Sequence, residues 1–175
     1  YPQNAAGMGF GVGVSIRAGG LMTIEDTESY NNFGDDLFDD PFGCGVYFPG
    51  PTNTRRSLIH GNVPRNDGGG IHCEGDSLNL DHSTPRDNFT AHEGGAYFVG
   101  SGCLASVDSV TVVENRASGV GGGFFVAPGG TLILENSVVA LNTLIGGGLG
   151  PDISGAVTSN NYNLVGILDG STGVT

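Results

Sequence analysis

Two stretches of the chain repeat each other almost position by position, and this internal repeat limits the protein to repeat architectures. The copies begin at residues 94 and 121; both open with glycines followed by aromatic residues, and both close with an asparagine. Val107 and Leu134 are 27 positions apart, as are Asn115 and Asn142. A fixed period of about 20 to 50 residues is typical of solenoids and propellers.

Extending this register predicts about six turns of 25–27 residues. Glycine-rich openings recur at intervals of 32, 25, 26, 27 and 25 residues, and they begin at Gly11, Gly43, Gly68, Gly94, Gly121 and Gly146. The long first interval contains an insertion loop, residues 33–42. Asparagines close the turns at Asn32, Asn62, Asn88, Asn115 and Asn142. An apolar residue stands eight positions before four of them, at Ile24, Leu80, Val107 and Leu134.

Each unit contains short apolar runs that alternate with polar residues and are separated by turn formers, which is typical of strands rather than helices. The pattern of leucine-rich repeats is absent. The sequence therefore predicts an all-β, single parallel β-helix, in which successive turns stack about 4.8 Å apart. In such a stack Ile24, Leu80, Val107 and Leu134 form an inward core column. The asparagines favour a structural ladder of hydrogen-bonded amides, formed by Asn62, Asn88, Asn115 and Asn142; a sugar-binding line is the alternative.

Charge and cysteine content narrow the class of partner and the compartment. Eighteen acidic residues against six basic ones give a net charge of -12, which argues against nucleic acid and anionic membrane surfaces as partners. No apolar run is long enough for membrane insertion. We therefore expect an extracellular or cell-surface protein. The three cysteines allow one disulfide between neighbouring turns, either Cys73–Cys103 or Cys44–Cys73.

The predicted organisation is an N-terminal lead over residues 1–10, the β-helix over 11–166 and a C-terminal tail over 167–175. The lead contains no amphipathic helix that would cap the first turn. Uncapped turns leave strand edges that seek partners. We therefore expect end-to-end contact with adjoining domains or with copies of the same chain, and head-to-tail contact between copies produces filaments.

The glycine openings also carry a family resemblance. The segments Gly68-Gly69-Gly70-Ile71, Gly94-Gly95-Ala96-Tyr97 and Gly121-Gly122-Gly123-Phe124 resemble the GGA[IVLY] repeats of polymorphic outer-membrane-protein-type surface proteins of bacteria. The stretch from Gly150 to Gly166 is similar to the last turn of large secreted β-helix proteins that carry C-terminal anchoring domains. This resemblance implies a right-handed, pectin-lyase-like β-helix with a structural or adhesive role at the cell surface.

Acidic residues are the candidates for metal binding. One acid follows the core column in four turns and should point outward, as a solvated face or a calcium-bridged one: Glu25, Asp81, Asp108 and Glu135. Arg55 takes this place in the second turn. The insertion loop holds the better calcium site, because four carboxylates crowd into six positions: Asp35, Asp36, Asp39 and Asp40. Calcium is the only cofactor that the sequence indicates.

An enzyme is the alternative to a structural module. Polysaccharide lyases and hydrolases use clustered carboxylates as acid and base. The candidates on adjacent turns are Asp81, His82, Arg86, Asp87 and Asp108. They form no dense carboxylate trio on one strand, so we assign no catalytic residue. The alternative function is carbohydrate binding or polysaccharide degradation, with surface glycans as ligands.

The calcium hypothesis has a direct test. Calcium bound by the loop at 35–40 should produce a heat of binding and raise the melting temperature, because the ligands are gathered only in the folded chain. Isothermal titration calorimetry and thermal melts with and without calcium measure both effects. No heat together with an unchanged melting temperature would contradict the hypothesis.

Overall fold

A computed structural model describes residues 4–6, 13–15, 20–34, 45–48 and 50–174. All secondary-structure elements among these residues are β-strands, and none of these residues is helical. The chain forms a parallel β-helix of about five turns with a shortened sixth, consistent with the right-handed form and confirming the predicted fold class. The predicted metal ligands Asp35, Asp36, Asp39 and Asp40 lie outside the described residues, as does Cys44.

Each turn contributes its strands to the same stacked sheets. After β1 (Asn4–Ala6), turn one contains β2 (Val14–Ser15), β3 (Met22–Glu25), β4 (Glu28–Tyr30) and β5 (Asn32–Gly34). Turn two contains β6 (Val46–Phe48), β7 (Thr52–Arg55) and β8 (Leu58–His60). Turn three contains β9 (Ile71–Cys73), β10 (Ser77–Asp81), β11 (Thr84–Arg86) and β12 (Phe89–Thr90). Turn four contains β13 (Tyr97–Val99), β14 (Leu104–Asp108), β15 (Thr111–Val113) and β16 (Arg116–Ala117).

Turn five contains β17 (Phe124–Val126), β18 (Thr131–Glu135), β19 (Val138–Ala140) and β20 (Thr143–Leu144). The last turn contains β21 (Ile153–Ser159), β22 (Leu164–Val165) and β23 (Ser171–Thr172). The first, second and third strands of each turn pair in parallel with the corresponding strands of the next turn. The fourth strands do so only in turns three to five, as β12, β16 and β20, whereas β5 pairs with β1. We call these stacks the first, second, third and fourth sheets.

The core column of the second sheet runs through turns one to five. Five residues share one register and point inward: Ile24, Thr54, Leu80, Val107 and Leu134. All five are buried, including Thr54, which interrupts the apolar series in turn two. Strict alternation places the neighbours of these residues on the outer face, because successive side chains of a strand point to opposite sides.

At two of the corners between sheets, each turn has one residue with a positive φ. One column lies between the second and third sheets, at Asp26, Arg56, His82, Ser109 and Asn136, with φ from 45° to 56°. A second column lies between the third and fourth sheets, at Asn31, Gly61, Asp87, Glu114 and Leu141, with φ from 52° to 62°. One left-handed residue turns the chain at each corner. A bulky side chain such as that of Leu141 carries a cost of about 1–2 kcal/mol in this conformation.

A buried ladder of asparagines occupies the corner before the fourth sheet. The main-chain N–H and the Nδ2 amide of each member both donate to Oδ1 of the asparagine in the next turn. The Nδ2–Oδ1 distances from Asn32 through Asn62, Asn88, Asn115 and Asn142 are 2.7, 2.9, 2.9 and 3.0 Å. The ladder therefore has a direction: donors point towards the C-terminal end, and oxygens point towards the N-terminal end.

Asp152 ends this ladder. Its Oδ1 accepts from the N–H of Asn142 at 3.0 Å and from Asn142 Nδ2 at 2.8 Å, while its Oδ2 accepts from the N–H of Ile167 at 2.8 Å. The corresponding residue one turn earlier is Gly123, where an added Cβ would lie 3.0 Å from Asn142 Nδ2. The ladder amide thus needs a small residue at this position. In the last turn the Asp152 side chain fills the space that the asparagine takes elsewhere.

The last turn opens four residues later than the sequence analysis predicted. Gly150, rather than Gly146, aligns with Gly121, whose N–H donates to the Gly150 carbonyl at 3.1 Å. Both residues have positive φ, at 67° and 75°. The glycine run from Gly146 belongs to the exposed segment 145–149, which leads into the last turn.

The tail folds back over the last turn. β21 passes straight through the corner that separates the first and second sheets elsewhere: Phe124 and Leu132 are eight positions apart, but their partners Ile153 and Val157 are only four apart. β23 then pairs with β21 at Gly155 and Ala156. The tail, whose residue Val174 packs against the core, thereby covers part of the C-terminal end.

A disulfide joins turns three and four. Cys73 ends β9, Cys103 precedes β14, and the two are bonded. This is one of the two pairings that the sequence allowed. The bond closes a loop of one turn, so it fixes the spacing of two adjacent turns covalently.

The ladder predicts a large effect of one substitution. In Asn115→Ala the N–H and Nδ2 groups of Asn88 lose their acceptor. Asn142 Oδ1 loses the Nδ2 donor and keeps only the main-chain N–H of residue 115. Since these groups are buried, the free energy of unfolding should fall by about 3 kcal/mol. Asn79→Ala is the matched control, because Asn79 is exposed on the outer face and should change stability by less than about 0.5 kcal/mol. Urea denaturation measures both, and equal effects would contradict a special role for the ladder.

Candidate functional site

The outer face of the second sheet carries one charged residue per turn. Glu25, Arg55, Asp81, Asp108 and Glu135 occupy the same register on β3, β7, β10, β14 and β18. We call this row the charged column. Neighbouring members lie on strands about 4.8 Å apart, so like charges would repel without partners.

Two arginines neutralise the start of the charged column. Arg55 Nε lies 2.9 Å from Asp81 Oδ2, and its Nη1 lies 3.9 Å from Glu25 Oε1. Arg56, in the following corner, donates to Glu25 at 2.6 Å and to Asp26 at 2.8 Å. The five side chains form an exposed network in which each arginine contacts two carboxylates. Such a network orders the surface but contributes little to stability, because water and salt screen it.

Asp81 and Asp108 are also held by neighbours in the following corners. Asp81 is hydrogen-bonded to His82 Nδ1, and this contact, followed by that with Arg55, holds the pKa of Asp81 below its ordinary value. Asp108 accepts from Asn136 Nδ2 at 2.9 Å and from Ser109 Oγ at 3.0 Å. A general acid of a glycosidase needs a raised pKa. The environment of Asp81 instead lowers the pKa of its carboxyl group.

The structure separates the other members of the predicted catalytic group. Arg86 lies on β11 in the third sheet, in register with His60 and Val113, and Asp87 occupies the next corner. Among the described residues, no hydrogen bond or ion pair connects either of them to Asp81 or Asp108. Within the same residues, no group of three or more His, Cys, Asp or Glu side chains is arranged to hold a metal.

Sequence reasoning missed an aromatic column on the outer face of the first sheet. Tyr47, His72, Phe98 and Phe125 follow one another in register. Their ring centroids are separated by 5.5, 4.5 and 5.3 Å. The signal was present in the sequence, because the four residues are spaced by 25, 26 and 27 positions. Three members are half-buried, whereas His72 is only 1% exposed.

Sequence reasoning also missed the pair Asp67 and Glu93. These residues directly precede Gly68 and Gly94, which open turns three and four. The N–H of Glu93 donates to Asp67 Oδ1 at 3.1 Å. Burial raises the pKa of Glu93, and the negative charge of Asp67 raises it further. Glu93 is therefore a partly buried carboxyl group whose environment favours the protonated form. Their separation of 26 positions, one repeat, would have revealed the pair.

Comparison with known proteins does not assign the chain to a family. No protein-family model matches it, and no curated protein or solved structure is significantly similar to it. In the part of the chain that the structure describes, no helix has the length and apolar character needed to cross a membrane. A functional proposal therefore rests on the disulfide and on the surface columns.

The buried histidine predicts a specific loss of stability in acid. Burial lowers the pKa of His72 to about 4, and a backbone hydrogen bond with Asp67 acts in the opposite direction. The unfolded chain binds this proton near the ordinary pKa of about 6.5. The stability that neutral His72 provides is therefore present above pH 6.5 and is lost as the pH falls towards 4, by up to about 3 kcal/mol.

His72→Phe should reduce this acid sensitivity, since phenylalanine continues the aromatic column and binds no proton. The control is His92→Phe, at an exposed position. Urea denaturation at pH 7 and pH 4.5 gives the change in the free energy of unfolding for each variant. The same pH dependence in His72→Phe as in the original chain would contradict the assignment.

Proposed function

We propose that the chain is an extracellular or cell-surface structural module with an adhesive role, rather than an enzyme. The disulfide between Cys73 and Cys103 is the observation that carries this proposal, because such bonds persist in oxidising compartments and are rare in the cytosol. The net charge of -12 fits the same setting, since it keeps an exposed surface soluble and away from anionic membranes. A resemblance in the glycine openings to bacterial surface repeats agrees with it.

The way in which the turns are joined supports a structural role. Parallel pairing in every sheet, the asparagine ladder and one covalent bond between turns all act along the same axis. Each turn contacts mainly its neighbours, so the solenoid behaves as a stack whose stiffness comes from the contacts between turns. A rod of this kind suits the spacing of other domains from a surface.

Surface glycans are the ligand class that we propose for the adhesive role. The half-buried rings of Phe98 and Phe125 provide apolar faces on the first sheet. On the second sheet, Asn79 Nδ2 donates to Asn53 Oδ1 at 2.8 Å, beside the charged column. Apolar faces near amide and carboxylate groups suit a sugar, which has both apolar faces and hydroxyls. Polysaccharide cleavage is less well supported, because the pKa of Asp81 is lowered.

The compartment and the disulfide can be tested together on native protein. Surface-exposed protein should be released by brief proteolysis of intact cells, and non-reducing mass spectrometry should find Cys73 and Cys103 in one cross-linked peptide. Cys44 provides an internal alkylation control in the same sample. Recovery of the protein in the cytosolic fraction with Cys73 and Cys103 as free thiols would contradict the proposal.

The disulfide should also contribute measurably to stability. A bond that closes a loop of this length is expected to add about 3 kcal/mol to the free energy of unfolding. The double variant Cys73→Ser with Cys103→Ser should lose this amount in urea denaturation, whereas Cys44→Ser should not. A double variant as stable as the original chain would show that the turns stay in register without the bond.

A further inference from the structure

We propose that the disulfide between Cys73 and Cys103 is a redox-sensitive clamp, and that its reduction opens the solenoid locally between turns three and four. We call the contact of these two turns, in which β9–β12 meet β13–β16, the central joint. The proposal goes beyond the proposed function, because it concerns one joint inside the rod, whatever the rod binds. It rests on a gap in the third sheet, on the charges that meet across the joint and on the position of the disulfide.

The third sheet is interrupted at the central joint. At the neighbouring joints all three residues of a strand pair with the next turn, as β8 does with β11 and β15 does with β19. Across the central joint β11 and β15 pair only at Arg86 and Val113. The N–H of Thr111 donates to the Ser83 carbonyl at 3.1 Å, but the ladder bond that should return to the Thr111 carbonyl has no donor, because Pro85 lacks an N–H. Proline is normally confined to edge strands, whereas β11 lies inside its sheet.

The charged column does not compensate for this gap. Arg55 joins turns one and two through Glu25, and turns two and three through Asp81. Across the central joint the column instead places Asp81 beside Asp108, and like charges on adjacent strands weaken their pairing. The following joint also brings two acids together, Asp108 and Glu135, but there the third sheet is complete. The central joint therefore combines a gap in a ladder with a like-charged pair.

The disulfide bridges the same joint at a different corner of the solenoid. Cys73 ends β9 in the first sheet and Cys103 precedes β14 in the second sheet, whereas Pro85 lies in the third. Both cysteines are buried, but Cys103 directly follows the exposed residues Ser101 and Gly102. A covalent bond thus holds the two turns together at the joint where the third-sheet ladder is incomplete.

Reduction removes the clamp but leaves the stack connected. A small dithiol passes two electrons and two protons to the bond, so that Cys73 and Cys103 become two thiols and the dithiol itself becomes a disulfide. The ladder bonds from Asn88 to Asn115 remain, as does the chain that links the two turns. The turns on either side therefore stay folded, and the joint between them opens more often.

Hydrogen exchange of single amides, followed by NMR in the full chain, measures the opening of each joint. Three amides donate across the central joint: Gly100, Leu104 and Thr111. Their equivalents one turn later donate across the following joint and serve as internal controls: Ala127, Thr131 and Val138. Reduction with dithiothreitol should accelerate exchange of the first set about 100-fold, because the bond no longer limits opening, and should change the second set by less than about threefold.

Two further measurements make every outcome decisive. Alkylation with mass spectrometry shows that Cys73 and Cys103 are reduced, and circular dichroism shows whether the chain is still folded. Faster exchange confined to the central joint of a folded, reduced chain supports the proposal. Equal acceleration at both joints, unfolding of the whole chain, or no acceleration after complete reduction overturns it.

Pro85→Val tests the origin of the weakness. Valine would supply the missing N–H to the Thr111 carbonyl, and its side chain fits the inward column, where Ile59 and Val112 are the neighbours of Pro85. After reduction the central-joint amides should exchange about tenfold more slowly in Pro85→Val than in the original chain. Ile59→Val is the matched control, because it alters the same column without adding a donor, and it should leave the acceleration unchanged. A reduced Pro85→Val chain that opens as readily as the original would overturn the proposal.

Discussion

The stacking of turns in exact register is the constraint on which the rest of the structure depends. Each asparagine donates two hydrogen bonds to the same oxygen one turn later, so a shift of one residue would break both bonds and leave buried amides unpaired. The ladder also requires glycine or alanine opposite it, which explains one glycine of each opening. Core columns, surface columns and corners then follow as rows with the same period.

The fold could be predicted because the period is visible in the sequence. Residues such as Leu80 and Val107 lie in one inward column, as the repeat indicates. A second ladder was also visible but was overlooked: Ser57, Ser83 and Ser137 precede the ladder asparagines by five positions and bond between turns, as from the N–H of Ser57 to Ser83 Oγ at 3.2 Å. The opening at Gly150 escaped prediction because the glycine run at Gly146 fits the average spacing better.

The candidate site was predictable only as rows of residues. The repeat shows that Arg55 and Asp81 share a column, but side-chain conformation decides which carboxylate each arginine contacts. The burial of His72 could not be predicted from its place in the aromatic column, because the other members of that column are more exposed. Cleaving a sugar requires a defined pair of acids, whereas a row of charged side chains along the outer face of a sheet is suited to contact over an area.

The Asp152 terminator has a consequence for how such a chain can change in length. Any duplicated unit that brings its own asparagine can be inserted between two existing turns, since it accepts from the turn before and donates to the turn after. The asparagine of a unit added beyond Asp152 would receive no side-chain hydrogen bond from the turn before it, because the carboxylate of Asp152 has no hydrogen to donate. Gene duplication within the repeats should therefore lengthen the rod while its final turn is inherited unchanged, as a fixed end piece.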